Sequence, residues 1–394
     1  MLRESDLMRA VRGTAKQRLP DVVSAVAAPV KRRAARHRPD APGCAGLKNL
    51  GNTCFLNATL QCLFGCAEFC APFVEGGYAL NASSPAKGAV AGAFAELLRD
   101  VRNGHHVCAP TALRAALIKI APQFRGRGQH DCQELCRCLL DGLAEDLKRR
   151  PPPTPAPAVS SGGDVPPVVE EAHADAWRAY LHKNGSPVCD TFAGLLRSTV
   201  ECCSCHHLSI RYDPYLDLSL PLPPPPPPSK HSPLSAKLQR GATSCTLEAC
   251  LERFTAPEVL EEKITCERCR KPRRSKKVLS LQTWPPVLVL HVKRFSYADA
   301  GRAKLDTIVT FPTDGLDVSP FVSAERRGAP AVYDLFATTD HLGARGEAGH
   351  YVAHRKDAAG WRRFDDATHA PINADRLQGG GAYVLWYRRR DAQT

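Results

Sequence analysis

The sequence predicts an α+β fold in which a helical half is followed by a sheet-rich half. Residues 88–146 carry apolar side chains at helical spacing, as in CQELCRCLLDGLAEDL. From Asp190 onward short stretches alternate between apolar and polar residues, and VLVLHVKRF at 287–295 is the nearly continuous apolar run of a buried strand. The chain has 394 residues, of which 43% are hydrophobic and 24% charged, so we expect a sizeable globular core.

The helical half opens with GLKNLGNTCFLN at 46–57. Apolar side chains recur at helical spacing over 54–64, and Asn52 and Thr53 stand just before them as capping candidates, which places Cys54 in the first turn of a helix. The helix dipole and the free N–H groups at that end favour a thiolate. Cys54 is therefore a candidate nucleophile, and the alternative is a buried structural cysteine.

A candidate base lies far downstream in GHYVAHRKDAAGWRRFDDATH at 349–369. The pattern predicts two strands joined by a polar turn centred at 357–359. With that centre, the partner of His350 lies between 364 and 368, an interval that contains Asp365 and Asp366, and a carboxylate on the next strand can orient an imidazole. The alternative is a surface charge contact. These residues alone do not decide between the two aspartates.

Two C-x-x-C pairs, CCSC and CERC, predict a metal site. Each spacing lets two thiolates of a tight knuckle face one centre, and two knuckles complete a tetrahedron. The four predicted ligands are Cys202, Cys205, Cys266 and Cys269, with Cys203 as a bystander. Four thiolates leave no open position on the metal, so we expect one structural zinc ion, held by two neighbouring hairpins or strands.

The positive charge is concentrated at the start of the chain. The formal net charge is +13, and the first 40 residues contain ten Lys/Arg against four Asp/Glu. Residues 1–42 are therefore predicted to be a basic, disordered arm. Its KRRAARHR segment at 31–38 suits a nuclear address, a phosphate-binding patch or a solvated tail. Direct nucleic-acid binding is not expected elsewhere.

The cysteine content favours a reducing compartment. Seventeen is an odd number of cysteines, the chain is long, and no secretory signal peptide is recognisable. The longest apolar run near the start, VVSAVAAPV, is too short to span a bilayer, and no membrane association is expected. We expect an intracellular protein of the nucleus, the cytoplasm or both, with its cysteines serving as core residues, metal ligands or nucleophiles.

Two proline-rich segments are predicted insertions, at about 149–167 and 221–240. Both contain P-x-x-P next to a basic residue, the pattern that SH3-type grooves recognise. The alternative is a spacer with no partner of its own.

The motifs together resemble the ubiquitin-specific proteases, a family of papain-like cysteine deubiquitinases. The resemblance runs in family order from about Gly43 to Arg389, and the predicted catalytic domain is 43–391. Its segments are GLKNLGNTCFLNATLQCL at 46–63, GQHDCQELCRCLLDGL at 128–143, the two zinc knuckles with the strands after them, and GHYVAH, WRRFDDA and GAYVLWY near the end. It departs from the family pattern at Phe55, where tyrosine is common, and at His130, where glutamine is frequent.

The resemblance implies a papain-like fold with a helical thumb, a β-sheet palm and zinc-bearing fingers. It gives Cys54 as the nucleophile and His350 as the general base and then acid. It gives Asp365 as the residue that orients His350, with Asp366 in reserve. Asn49 matches the side chain that stabilises the oxyanion.

The resemblance also implies the substrate. Asp131 and Glu134 match acidic positions near the basic, extended tail of ubiquitin. The expected reaction is thiolate attack on the C-terminal glycine carbonyl, release of the amine from an acyl-enzyme, and hydrolysis by water. The expected partners are ubiquitin and ubiquitinated proteins, and the expected state is a monomer. Two alternatives stay open, an inactive ubiquitin-binding scaffold and a protease for another ubiquitin-like modifier.

Overall fold

The computed structural model describes residues 43–149, 167–224, 244–298, 301–328, 331–345 and 348–390. The predicted basic arm and most of both proline-rich segments lie outside these residues. Eight α-helices occur in the described part: α1 Cys54–Phe64, α2 Ala67–Glu75, α3 Ala89–Arg102, α4 Thr111–Ile120, α5 Cys132–Asp146, α6 Pro167–Asn184, α7 Pro187–Phe192 and α8 Leu247–Thr255.

Twenty strands occur in the same residues, most of them after α7. They are β1 Gly46–Leu47, β2 Val107–Cys108, β3 Gly194–Cys202, β4 Leu208–Tyr215, β5 Leu218–Pro221, β6 Ser244–Thr246, β7 Glu258–Val259, β8 Ile264–Thr265, β9 Pro272–Arg273, β10 Ser275–Thr283, β11 Val287–Lys293, β12 Phe295–Ala298, β13 Gly301–Lys304, β14 Ile308–Thr310, β15 Leu316–Asp317, β16 Val332–Arg345, β17 Ala348–Asp357, β18 Gly360–Asp365, β19 Thr368–Ile372 and β20 Ala382–Arg389.

Two sheets organise the second half of the chain. The large one has ten strands, with a main path in the order β19-β18-β17-β16-β20-β11-β5 and with β12, β13 and β15 attached at the side. A separate four-stranded sheet runs β4-β3-β10-β7, and β8 and β9 form a two-stranded hairpin. The large sheet carries the predicted histidine, and the smaller sheet with its hairpin carries the predicted metal ligands.

The large sheet is covered on both faces, which explains the apolar run at 287–295. Val287 and Val289 of β11 belong to the hydrophobic cluster that includes the helices. Leu288, Leu290 and Val292 belong to a second cluster that includes α8. Successive side chains of a strand point to opposite faces, so a strand between two cores must be apolar at almost every position.

Helix α1 lies in the centre of the first core. Its residues Cys54 to Leu63 are all buried, and the helix packs against β17 of the large sheet and against α5. The polar residues Asn57, Thr59 and Gln61 within it are also buried, and each forms a hydrogen bond to a backbone carbonyl. The first turn of α1, and with it Cys54, is therefore held rigidly against the strand that carries His350.

The order of a helical half and a sheet-rich half is observed, with two differences in detail. The helical region extends to Phe192, because α6 and α7 follow the first proline-rich segment. Helix α8 interrupts the sheet-rich half, where Cys250 and Leu251 face the second core. Within the described residues no single helix is long and apolar enough to cross a membrane. Helices α1 and α2 taken together reach the length and apolar composition of a membrane span, but an 80° bend separates them.

Candidate active site and candidate metal site

A tight turn delivers Cys54 to the start of α1. Gly51 and Asn52 both have left-handed backbone conformations, with φ of 101° and 52°, which glycine and asparagine adopt most readily. Thr53 is the capping residue, but its hydroxyl accepts a hydrogen bond from the N–H of Leu50 at 2.8 Å instead of capping the helix. The turn therefore stabilises itself and leaves the N-terminal end of α1 directed at the site.

His350 meets Cys54 from the large sheet. It lies on β17, and its Nε2 is 2.7 Å from Oδ1 of Asp365 at the end of β18. The Cys54 thiol is within hydrogen-bonding reach of the imidazole. Because Asp365 engages Nε2, Nδ1 is the ring nitrogen available to the thiol. The three side chains thus have the order of contacts that a nucleophile, a base and an orienting carboxylate require.

The electrostatics of this group favour a charged imidazole. The hydrogen bond that His350 donates to Asp365, and after it the hydrogen bond with Cys54, raises the pKa of His350 from 6.5 to about 10. The hydrogen bond with His350 lowers the pKa of Asp365. His350 is therefore protonated at neutral pH beside an ionised carboxylate, which is the state that stabilises a neighbouring thiolate.

Asp366 has a different set of contacts. Its two carboxylate oxygens accept hydrogen bonds from Nδ2 of Asn49 at 2.8 Å and from Nδ2 of Asn57 at 2.7 Å. Its carbonyl accepts the N–H of Leu47 at 2.7 Å. The structure therefore separates the two candidates: Asp365 contacts the histidine, and Asp366 anchors the segment before α1.

Asn49 is oriented by contacts on both ends of its amide. Its Oδ1 accepts the N–H groups of Gly51 at 2.9 Å and Thr53 at 3.1 Å, while one hydrogen of Nδ2 goes to Asp366. The second Nδ2 hydrogen remains for another acceptor. Asn49 is exposed beside the first turn of α1, so this hydrogen can serve an oxyanion formed at Cys54.

The two predicted substrate-binding acids lie at the start of α5. Asp131 caps that helix by accepting the N–H of Gln133 at 2.9 Å, and it accepts the hydroxyl of Tyr383 at 2.6 Å. Glu134 is exposed in the first turn. Asp131 thus ties α5 to β20 of the large sheet, whereas Glu134 is the one of the pair that presents its carboxylate to solvent.

The four predicted metal ligands converge. Their Sγ atoms all lie within 4.8 Å of one another, and the separations are 4.0 Å for Cys202–Cys269 and 3.7 Å for Cys205–Cys266. A tetrahedron with metal–sulfur bonds of about 2.3 Å has sulfur–sulfur edges of about 3.8 Å, so the group fits a metal ion. The predicted hairpin arrangement is observed: Cys202 ends β3 and Cys205 lies in the turn before β4, while the other pair lies between β8 and β9.

The two knuckles have the same backbone geometry. The residue after each second cysteine, His206 and Arg270, has a left-handed conformation with φ of 56° and donates its N–H to the carbonyl of the first cysteine. In the second knuckle the N–H of Cys269 also donates to Sγ of Cys266 at 3.4 Å. Both C-x-x-C spacings therefore fold into one type of turn that presents its sulfurs to the same centre.

Three residues near the site were not predicted from the sequence. Asn57 and Tyr383 hold Asp366 and Asp131 in place, as described above, and Gln129 forms hydrogen bonds with the backbone of Gly349. Gln129 lies two residues before the predicted Asp131, and Gly349 directly precedes His350. Their position beside predicted site residues is the pattern that could have identified them.

Comparison with known proteins accounts for nearly the whole of this architecture. The family model described as ubiquitin carboxyl-terminal hydrolase matches residues 45–387, from just before β1 into β20. The chain belongs to the ubiquitin carboxyl-terminal hydrolase family. The resemblance to the ubiquitin-specific proteases that the sequence motifs indicated is thereby confirmed.

Relatives of this family member are found in vertebrates. The chain is 37% identical over 358 residues to ubiquitin carboxyl-terminal hydrolase 2 of Rattus norvegicus and 36% identical to that of Homo sapiens, matching over 88% of its own length. It spans only about half of these two relatives, 54% and 55% of their lengths. The chain is 35% identical to the protein of the same name from Gallus gallus and covers 93% of that protein's length.

Solved structures share the fold of this chain. A SAGA DUB module bound to ubiquitin aldehyde aligns with a TM-score of 0.65 at 23% identity, over 89% of this chain and 70% of that one. A SAGA DUB module bound to monoubiquitin aligns with the same TM-score of 0.65, over 91% of this chain and 72% of that one. The predicted papain-like α+β fold with a cysteine-bearing finger region is confirmed.

Proposed function

We propose that this family member is a thiol-dependent deubiquitinase, which hydrolyses the isopeptide or peptide bond after the C-terminal glycine of ubiquitin. The observation that carries the proposal is the group of Cys54, His350 and Asp365, with the thiol in reach of the imidazole and the imidazole 2.7 Å from the carboxylate. The names of the relatives and the ubiquitin bound to the solved neighbours support ubiquitin as the substrate.

The reaction begins from an ion pair in which the Cys54 proton already resides on His350. The resulting thiolate attacks the carbonyl carbon of the terminal glycine, and the carbonyl electrons move to oxygen. We expect the second Nδ2 hydrogen of Asn49 and the N–H groups at the start of α1 to donate to this oxyanion. Asp366 keeps Asn49 in position, so its contribution to catalysis is indirect.

Collapse of the tetrahedral intermediate breaks the carbon–nitrogen bond. His350 gives its proton to the departing lysine or peptide amine, and the glycine carbonyl stays bonded to Cys54 as a thioester. Water then attacks the thioester while His350 accepts its proton, and the sulfur leaves as a thiolate, which restores the starting ion pair with protonated His350. Asp365 stabilises the imidazolium in both halves of the cycle, without itself being protonated.

A side-by-side assay tests the function and the substrate together. The purified chain is given equal concentrations of a fluorogenic amide of ubiquitin and of the same fluorophore on other ubiquitin-like modifiers. We expect the ubiquitin substrate to be cleaved fastest. A clear preference for another modifier would overturn the substrate assignment, and binding of ubiquitin without cleavage of any substrate would identify a scaffold instead of an enzyme.

The four-cysteine group is proposed to hold one structural zinc ion, because four thiolates close the coordination sphere and suit zinc. The bound ion would join the β3–β4 and β8–β9 hairpins and supply no chemistry at Cys54. We also propose that the protein works in a reducing compartment, the nucleus or cytoplasm, because both Cys54 and these four ligands must stay reduced.

Metal analysis of the purified protein is expected to find about one zinc per chain. Replacing Cys266 with serine should lower the zinc content and the melting temperature together, because metal binding contributes directly to the folding free energy of such sites. Cys203→Ser is the matched control, since this exposed cysteine lies in the first knuckle without being one of the four converging thiols, and it should retain both values. Folded, active protein without zinc would contradict the assignment.

A further inference from the structure

Gln129 forms a two-point contact across the candidate active site. Its Nε2 donates to the carbonyl of Gly349 at 2.5 Å, and its Oε1 accepts the N–H of the same residue at 3.0 Å. Gln129 belongs to the segment before α5, and Gly349 lies on β17 next to His350. The contact therefore connects the helical half to the large sheet beside the reacting group.

The geometry is that of a peptide partner. When an extended chain pairs with a strand edge, its backbone supplies one acceptor and one donor to the N–H and C=O of a single residue. The carboxamide of Gln129 supplies the same pair of atoms from a side chain. In the free protein, both the N–H and the carbonyl of Gly349 are therefore hydrogen-bonded to a side-chain amide that takes the place of a peptide backbone.

Both sides of this contact are held by the fold. Gly349 packs so closely on His341 that an added Cβ would lie 2.2 Å from the imidazole Nε2, so its backbone cannot retreat. The segment with Gln129 is fixed on one side by the hydrogen bond from Asn52 to the carbonyl of Arg127 at 2.7 Å. Gln129 itself is exposed, so its side chain is the part that can move.

An extended tail that places its last carbonyl on Cys54 must pass next to His350. The carbonyl and N–H of Gly349 are the backbone groups directly before that histidine on β17. We propose that Gln129 is a latch, which occupies the backbone-pairing position at Gly349 in the free protein and is displaced by the C-terminal tail of the substrate. The inference rests on the proposed function for the identity of that tail.

Only molecules in which the latch is open can bind substrate, so the apparent affinity equals the intrinsic affinity multiplied by the open fraction. Removing the latch should therefore tighten binding and leave the chemical step unchanged. We expect ubiquitin to bind about three- to tenfold more tightly to Gln129→Ala than to the parent, with both proteins carrying Cys54→Ala to prevent turnover. Gln129→Glu should behave similarly, because a carboxylate still accepts from the N–H of Gly349 but repels its carbonyl.

The matched control is Gln123→Ala, which removes an exposed glutamine whose amide contacts Cys138. It should leave the affinity unchanged. A second measurement needs no ubiquitin: the backbone amide of Gly349 should be protected from hydrogen exchange in the free parent and exchange faster in Gln129→Ala. In the protein that retains Cys54, the kcat of Gln129→Ala should equal that of the parent.

The outcomes separate the latch from the proposed function. Weaker binding by Gln129→Ala would overturn the latch and make Gln129 a substrate contact, and unchanged affinity with unchanged exchange would also overturn it. Failure of every variant, the Gln123→Ala control included, to bind ubiquitin would contradict the proposed function. In that case the exchange rates of Gly349 still decide whether Gln129 protects it.

Discussion

Replacing Cys54 with alanine is expected to abolish hydrolysis of ubiquitin substrates and labelling by a ubiquitin probe with an electrophilic C-terminus. Removal of a nucleophile that works with a base and an orienting group costs on the order of 10⁵- to 10⁶-fold in kcat. Cys54 is only 2% exposed at the start of α1, and the change deletes one sulfur atom, so the variant should fold normally and still bind ubiquitin. Labelling is read by intact mass, turnover by fluorescence and folding by circular dichroism.

The chain offers a control for thiol specificity. Cys203 is exposed in the first knuckle, so an indiscriminate electrophile would react there. The Cys203→Ala variant should be labelled at the parent rate. Burial holds the pKa of the nearby Cys132 thiol well above its ordinary value, so it cannot replace the nucleophile. Residual adduct or turnover in Cys54→Ala at more than a trace level would show that another residue is the nucleophile.

The second large effect is expected from Asp365→Ala. Alanine offers His350 neither a negative charge nor a hydrogen-bond acceptor, and loss of the orienting carboxylate of a catalytic triad lowers kcat about 10⁴-fold. The hydrogen bond with Asp365 is also the largest contribution to the raised pKa of His350, which is about 10. With this pKa, the imidazolium loses its proton only as the pH rises through about 10. The high-pH limb of kcat/KM should therefore move to lower pH in the variant.

Asp366→Asn is the matched comparison, because asparagine tolerates the left-handed backbone at this position, where φ is 49°. An asparagine at 366 would place an NH2 group against the NH2 group of either Asn49 or Asn57, so one of the two hydrogen bonds would be lost. Asn49, the expected oxyanion donor, should then be held less firmly. We expect a smaller loss of kcat, about 10- to 100-fold, with the high-pH limb unchanged. If this variant loses more activity than Asp365→Ala, or shifts the high-pH limb, then Asp366 is the orienting residue.

Local patterns in the sequence were sufficient for the features that depend on neighbouring residues. The periodicity after Cys54 predicted the helix that the structure shows, and the two C-x-x-C spacings predicted the knuckles, because both are formed by chain segments of fewer than a dozen residues. The turn between 357 and 359 was predicted closely enough to bring two aspartates near His350. The observed pairing of Asp357 with Gly360 places the centre inside that interval.

The choice between the aspartates needed the tertiary structure. Regular pairing of β17 with β18 ends at Ala353 and Phe364, before His350 is reached, so strand register alone does not select a partner. Asp366 then turns into a left-handed conformation and reaches Asn49, which is 317 positions away in the chain. No local pattern encodes a contact of that separation.

The sequence by itself determined the family, the helix that begins at Cys54 and the four cysteines that converge. The tertiary structure decided which acid touches the histidine, which acid caps α5 and which side chain covers Gly349. The physical reason is the range of the interactions. Helix periodicity and knuckle geometry are set by bonds between near neighbours, whereas a hydrogen bond between distant segments depends on how α1, α5 and the large sheet pack against one another.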